Sequence, residues 1–260
     1  MIDLGTLRPA DAICFVQHLL TGKHPYRDKT VATHLRTFFQ YLFACGATAT
    51  NLALSIPKVA QRWDARLPRH LSLEGVGAVL ASVRGNPRHG ARDYAMLLLM
   101  ARLGLRAPEV VAIQLDDVDW RAGELLVRGK GKLHDRLPIS AEIGEALSRY
   151  LREERGPTTC RTVFVTHRAP HRAFKDGQII NAILKDALSA TGQKPVTPYV
   201  GSHLLRHSLA TRLVNAGASL DEVGYVLRHR SRTSTMIYAR LDTDGLRSIA
   251  QPWPVEGGVQ

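Results

Sequence analysis

The sequence predicts a mainly α-helical chain with a small antiparallel β-sheet, divided into a short N-terminal helical module and a larger C-terminal domain. Three observations carry this. Apolar residues recur at helical spacing over most of the chain, as in residues 28–44, where Val31, Leu35, Phe38, Phe39 and Leu42 share a face. Strand-like alternation is concentrated in residues 117–139, around the basic turn Gly129-Lys130-Gly131-Lys132. The charged run Arg62–Arg69, with Pro68 inside it, separates a small helical module from everything after it and gives domains of 1–66 and 67–260.

Composition narrows the function classes. The 260 residues carry 35 Lys+Arg against 23 Asp+Glu, a net charge of +12. Such a surplus favours a polyanionic partner, because a basic surface gains affinity by releasing counterions from nucleic acid. Cys14, Cys45 and Cys160 are far apart and odd in number, which suggests neither a disulfide framework nor a zinc site and fits a reducing compartment. The first residues, Met1 to Gly5, lack a charged segment followed by an apolar one, so no signal peptide is read. The longest apolar run, around Ala95–Ala101, is too short to span a bilayer. A soluble, cytoplasmic, nucleoid-associated protein is the expectation.

Taken in order, residues 9–21 open with Pro9 at the first helical position and place Ile13, Val16, Leu19 and Leu20 on one face. On the second helix the opposite side carries Lys29, Thr33, Arg36 and Gln40, which reads either as a DNA-facing or as a merely solvated surface. Residues 46–57 read as a loop with one short helix. Ser72 and Glu74 start a helix to about Val83, and Arg92–Leu103 forms another. A turn at Gly104 then leads into a helix that tolerates Pro108 in its first turn. Arg106 is left at the helix entrance, where backbone N–H groups also favour anions and few contacts compete for it.

Residues 117–120, 124–128 and 136–139 alternate as short strands. A lysine at the hairpin tip between them can reach a site built elsewhere and donate a proton to a leaving oxygen; it can equally be a basic turn with no duty. Residues 140–154 are predicted helical and 162–166 extended. Residues 175–191 are predicted helical, with Ile179, Ile180, Ile183, Leu184 and Leu188 inward.

Chemistry concentrates between His203 and Tyr238. His203 and Arg206 are three residues apart on a helix and share a face, so a titratable donor and a fork-shaped permanent cation can converge on one anion. Tyr238 lies nine residues beyond His229, after the polar run Ser231–Thr235 that connects to a further helix. A phenol with pKa about 10 needs cations or a base beside it to act as a nucleophile. His203 and His207 also have the i, i+4 spacing of a zinc pair, but the glutamate of HExxH and a third ligand are missing, so no metal is assigned.

Together these residues resemble the tyrosine recombinases, the phage-integrase family. The pattern is His203-x-x-Arg206-His207-Ser208-x-Ala210-Thr211-x-Leu213-x-x-x-Gly217, followed by His229 and Tyr238, with Gly104-Leu105-Arg106-x-x-Glu109-Val110 upstream. The resemblance implies a shortened N-terminal core-binding domain that clamps DNA and a tyrosine-recombinase catalytic domain. It further implies that Arg106 and Arg206 clamp the scissile phosphate, that His203 and His229 hydrogen-bond it, and that Tyr238 attacks. Lys130 is then the general acid by the family's G-K-G-x-K-x-R hairpin, with Lys132 the runner-up, since Arg136 falls six residues after Lys130 where the pattern has five. Lys29, Arg36, Lys132 and Arg228 are candidate DNA contacts.

Three departures from the family stand out. Arg228 occupies the position of the glycine that usually precedes His229, where it changes the turn or adds a phosphate contact. The hairpin has an extra residue. The first of the family's usual N-terminal helices is missing, which points to a reduced clamp or an upstream start. The implied partner is double-stranded DNA with specific sites, bound by a tetramer, with or without a second recombinase, and without metal or nucleotide cofactor. The competing readings are a topoisomerase-like relaxer and a truncated or inactive accessory factor.

Overall fold

A computed structural model describes residues 4–21, 29–56, 70–129, 134–193, 201–239 and 241. The chain divides into two compact units, Met1–Ala65 and Arg66–Gln260. Mainly helical structure and one three-stranded antiparallel sheet make up the described residues, in line with the predicted class.

In the first unit, α1 (Pro9–Thr21) and α2 (Lys29–Ala44) are followed by a 3-10 turn at Leu52–Ser55. Ala12, Val16, Ala32, Phe39 and Leu42 close around Leu52, Ala53 and Ile56. The inward stripe is narrower than predicted. Ile13 and Phe38 stay exposed, at 38% and 49%, because both helices face the Leu52–Ile56 segment and only the side nearest it is covered. Leu19 and Leu20 are side chains outside the described set.

The second unit is organised around α4 (Gly90–Leu103). Every residue from Ala95 to Ala101 is buried, as expected of a helix that is apolar all round. Against it pack α3 (Leu73–Arg84), α5 (Ala107–Ala112), α6 (Ala141–Glu153), α7 (Gln178–Thr191) and α8 (His203–Asn215). Ser72 caps α3 by accepting from Gly75 N at 3.0 Å, and Ser140 caps α6 by accepting from Ile143 N at 3.4 Å. The helix α7 starts at Gln178 rather than Lys175, since Asp176 accepts from Gln178 N at 2.9 Å and defines the entry. A final short helix, α9 (Leu220–Val226), opens with a Ser219–Glu222 capping box.

The sheet has the order β1 (Val118–Asp119), β2 (Glu124–Arg128), β3 (His134–Pro138), with Leu125 opposite Leu137 and Arg128 opposite His134. Buried Asp117 anchors it, accepting from Gln114 N and pairing with Arg128 at 2.6 Å. Residues 162–166 do not form the expected strand. They make isolated bridges at Thr162 and Val165, while Val163, Phe164 and Val165 are buried. Backbone bonds from Leu115 N to Arg161 O and from Val163 N to Ile113 O satisfy the segment without extending the sheet. The predicted linker at 62–69 and the hairpin tip at 130–133 lie outside the described residues.

Two substitutions check this packing. Leu99→Ala, at a fully buried position of α4, is expected to cost about 2–5 kcal/mol in urea unfolding. Ser72→Ala should cost about 1 kcal/mol through the lost cap; equal losses from the two would show that α4 is not the centre of the core.

Candidate active site

The site grows out of the end of α4. Gly104 closes that helix in the left-handed region at φ 61°, and a Cβ there would lie 2.7 Å from Leu227 Cδ2 and 3.1 Å from Leu209 Cδ2. Glycine therefore serves twice, turning the chain and admitting α8 and the end of α9 against it. Its carbonyl accepts from Arg206 Nη1, and Leu227 O accepts from Arg206 Nη2. Arg206 is 3% exposed and joins three segments by its guanidinium alone. Burial, with the charges of Arg106 and Arg228 behind it, pulls its pKa down to about 10, so it is still a cation at neutral pH.

Arg106 is the N-cap residue of α5. Its side chain is 37% exposed, and its Nη1 donates to Glu109 Oε1 at 2.7 Å. A site arginine with few competing contacts was expected; instead a carboxylate three residues on already holds it. Glu109 also accepts from Arg106 N at 2.8 Å and from Arg228 Nη2 at 2.8 Å. Burial alone would raise this carboxyl, but the Arg106 N–H, the Arg228 charge and the Arg106 side chain together hold it below its ordinary value.

Arg228 adopts φ 54°, the left-handed conformation that a glycine takes without strain. Its guanidinium faces inward: 5% exposed, it binds Glu109, reaches Leu103 O at 3.3 Å and lies 3.8 Å from Asp135. Arg230 pairs with the same Asp135 at 3.0 Å, so β3 is tied to the loop carrying His229.

His229 Nδ1 shares a hydrogen bond with Thr235 Oγ1 at 2.8 Å. Burial first, then Arg206, Arg106 and Arg228, lower its pKa to about 4; the same kinds of cause lower His203. Both imidazoles are thus neutral at neutral pH. Tyr238 ends a 3-10 turn, Met236–Tyr238, rather than riding on a long helix. It is 1% exposed in a cluster with Leu209, Ala210, Val214, Val223 and Leu227. Its Oη lies 2.6 Å from His207 Nδ1, and burial pushes the phenol well above its ordinary range, with Arg206 opposing weakly.

One unit therefore brings Arg106, His203, His229 and Tyr238 into electrostatic reach of Arg206. Lys130 and Lys132 fall outside the described residues, although β2 and β3 lead to them. Lys29 begins α2, and its side chain is not described. Arg36 turns one N–H to Ile56 O at 3.5 Å. His207 was quoted in the motif but given no role, and its contact with Tyr238 is the main feature that sequence reasoning missed. Glu109 pairs with two of the arginines, Arg106 and Arg228.

With this geometry, similarity to known proteins is specific. The profile of the Phage integrase family matches residues 75–244, and the chain belongs to that family. The y4rA protein of Sinorhizobium fredii, named there as a candidate integrase/recombinase, is 41% identical over 255 residues, 98% of this chain and 62% of that protein. The chain thus spans about three fifths of that relative's length. Tyrosine recombinase XerD of Lacticaseibacillus casei is 33% identical over 257 residues, covering 95% of this chain and 81% of XerD. The solved structure of the XerH site-specific recombinase bound to palindromic difH substrate superposes with a TM-score of 0.75 at 22% identity, over 94% of this chain and 71% of that one. That last likeness is one of fold: the helical unit with its three-stranded sheet is shared.

Two measurements test the charge arrangement. Arg228→Ala removes the ion pair but keeps a Cβ at positive φ, and should cost about 3 kcal/mol. Arg228→Gly should cost about 1 kcal/mol less, because the backbone strain goes with the side chain. For Glu109, a depressed folded pKa means that its stabilisation is complete above its unfolded value of about 4.5 and is lost as pH falls through the lower folded value. Glu109→Gln should accordingly flatten the loss of stability below about pH 4.5 in urea titrations; an unchanged acid limb would show that Glu109 is not held by the arginines.

Proposed function

We propose that this chain is a site-specific DNA recombinase, cutting and rejoining strands through a 3′-phosphotyrosyl intermediate. The observation that carries the reading is the meeting of two arginines and two neutral imidazoles with a buried tyrosine in one unit of phage-integrase fold. Breaking a phosphodiester in this way requires neutralised non-bridging oxygens, an in-line nucleophile and a proton for the departing oxygen.

Arg106 and Arg206 supply the positive charge. The charges of Arg106 and Arg228 act against buried Arg206 and Glu109 offsets them only in part, so an entering phosphate relieves repulsion that burial makes costly. His203 and His229 donate hydrogen bonds to the phosphate as it arrives. The Tyr238 oxygen attacks phosphorus, the 5′ oxygen leaves, and Lys130 protonates it, with Lys132 the alternative at the same hairpin. Since the bond energy remains in the protein–DNA ester, the 5′ hydroxyl of a second strand reverses the attack without nucleotide hydrolysis. Arg206 and Tyr238 are 3% and 1% exposed, so DNA binding must uncover them together.

The remaining assignments belong to the same reading. Residues 1–66 form a clamp on DNA, with Lys29 and Arg36 near the DNA backbone, and residues 67–260 form the catalytic domain. A tetramer on paired sites, alone or with a second recombinase, completes the exchange in the cytoplasm at the nucleoid. XerH was solved on its difH substrate, which supports DNA as the partner.

The test is a nicked suicide duplex built from the DNA flanking the gene. Wild type should form a covalent protein–DNA adduct in the presence of chelator, and Tyr238→Phe should form none. Lys130→Ala should slow adduct formation about 100-fold or more if this lysine is the acid, and a full rate with the same loss in Lys132→Ala would transfer the role. DNA binding without any wild-type adduct would favour the accessory-factor reading.

A further inference from the structure

Within the recombinase reading, on which this inference rests, we infer that His207 is a catalytic residue: the general base that takes the Tyr238 proton as the phenol attacks. His207 Nδ1 is 2.6 Å from Tyr238 Oη, inside the range for direct proton transfer between heavy atoms. No other hydrogen bond of Tyr238 Oη is found among the described residues, so the phenol satisfies itself by donating to Nδ1. That assignment puts the imidazole's own proton on Nε2 and leaves the Nδ1 lone pair facing the O–H.

The other two imidazoles are placed differently. His229 directs its Nδ1 to Thr235 Oγ1 at 2.8 Å. The His203 ring stands beyond His207, at 6.1 Å between ring centroids, while the rings of His207 and Tyr238 are 5.7 Å apart. His207 also follows Arg206 directly on α8, so the base and one arm of the phosphate clamp belong to one rigid helix. A buried phenol is a weak nucleophile and a poor acid, and that is the situation in which a fixed acceptor contributes most. In the step, the Oη–H bond breaks and its proton joins Nδ1. The Oη electron pair forms the bond to phosphorus, and the bond to the 5′ oxygen breaks with its pair, which takes the proton of the hairpin lysine. Rejoining runs the same transfers backwards, and His207 returns the proton to Tyr238.

The test uses the full chain on the nicked duplex under single-turnover conditions, with His207→Asn and with 3-fluorotyrosine incorporated at position 238. The asparagine oxygen can still accept the phenol hydrogen bond but cannot hold the proton. His207→Asn is expected to bind the duplex normally and to form adduct about 100-fold more slowly or worse. Fluorination, which makes the phenol more acidic, should speed the His207→Asn protein while leaving the wild type unchanged or slower. That opposite response separates a base from a residue that only positions Tyr238, for which fluorination would change both proteins alike. A wild-type rate for His207→Asn, or equal fluorine effects in the two backgrounds, overturns the inference and leaves the recombinase reading standing. A wild type with no Tyr238 adduct overturns both.

Discussion

The larger unit of this molecule depends on one buried guanidinium. Arg206 leaves water almost completely and, among the described residues, receives no carboxylate in direct contact; its hydrogen bonds there go to two backbone carbonyls, Gly104 O and Leu227 O. Burying an ion in this way costs several kcal/mol before compensation. The compensation available is local, since each carbonyl belongs to a helix end, where oxygens lack intrahelical partners and carry the negative end of the helix dipole. The same bonds fix the ends of α4 and α9 against α8. Arg106 follows Gly104 by two residues, and Arg228 and His229 follow Leu227 directly, so one side chain sets the starting points of both segments that carry site residues.

Glu109 is the counterweight to this arrangement. Its carboxylate joins Arg106 to Arg228 at 2.7 and 2.8 Å, and those residues lie on segments more than a hundred positions apart in the chain. Two carboxylates, Glu109 and Asp135, among Arg106, Arg206, Arg228 and Arg230 leave the site short of negative charge. That deficit explains why Arg206 and His229 both shift in the direction that sheds protons, once burial has been counted. The same excess of positive charge would favour an anion over a neutral ligand beside these side chains. Arg228 belongs to this balance at the expense of its backbone: a left-handed arginine persists only where the side chain gains more than the strain of about 1–2 kcal/mol.

Much of the fold could be read from periodicity, and the reasons for the exceptions are physical. α6 and α7 bury the residues their spacing selects, because each is a long amphipathic helix lying on one core. The extended run at 162–166 looked like a strand because buried Val163, Phe164 and Val165 have strand-forming side chains; its hydrogen bonds depend on Ile113 and Leu115, which no local pattern reveals. Phe38 was assigned to the core by period alone, but the surface it would cover is set by the position of the Leu52–Ser55 turn. Of the site, the motif supplied the residues and their order. It did not supply Arg228 with Glu109, 119 positions apart, or His207 with Tyr238, 31 apart, because those contacts exist only after α8 and α9 have packed.

The burial of Tyr238 links stability to chemistry. The phenol ring fills the small cluster around Leu209, Val214, Val223 and Leu227, so it contributes core packing. A tyrosine used as a core residue is a weak nucleophile for two reasons: the ring is covered, and a low-dielectric surrounding disfavours the phenolate. Both restraints act on the same atom, and both weaken together if the turn Met236–Tyr238 shifts toward solvent. That turn is only one 3-10 step long, held by Tyr238 N to Thr235 O at 2.9 Å, with Thr235 in turn bonded to His229.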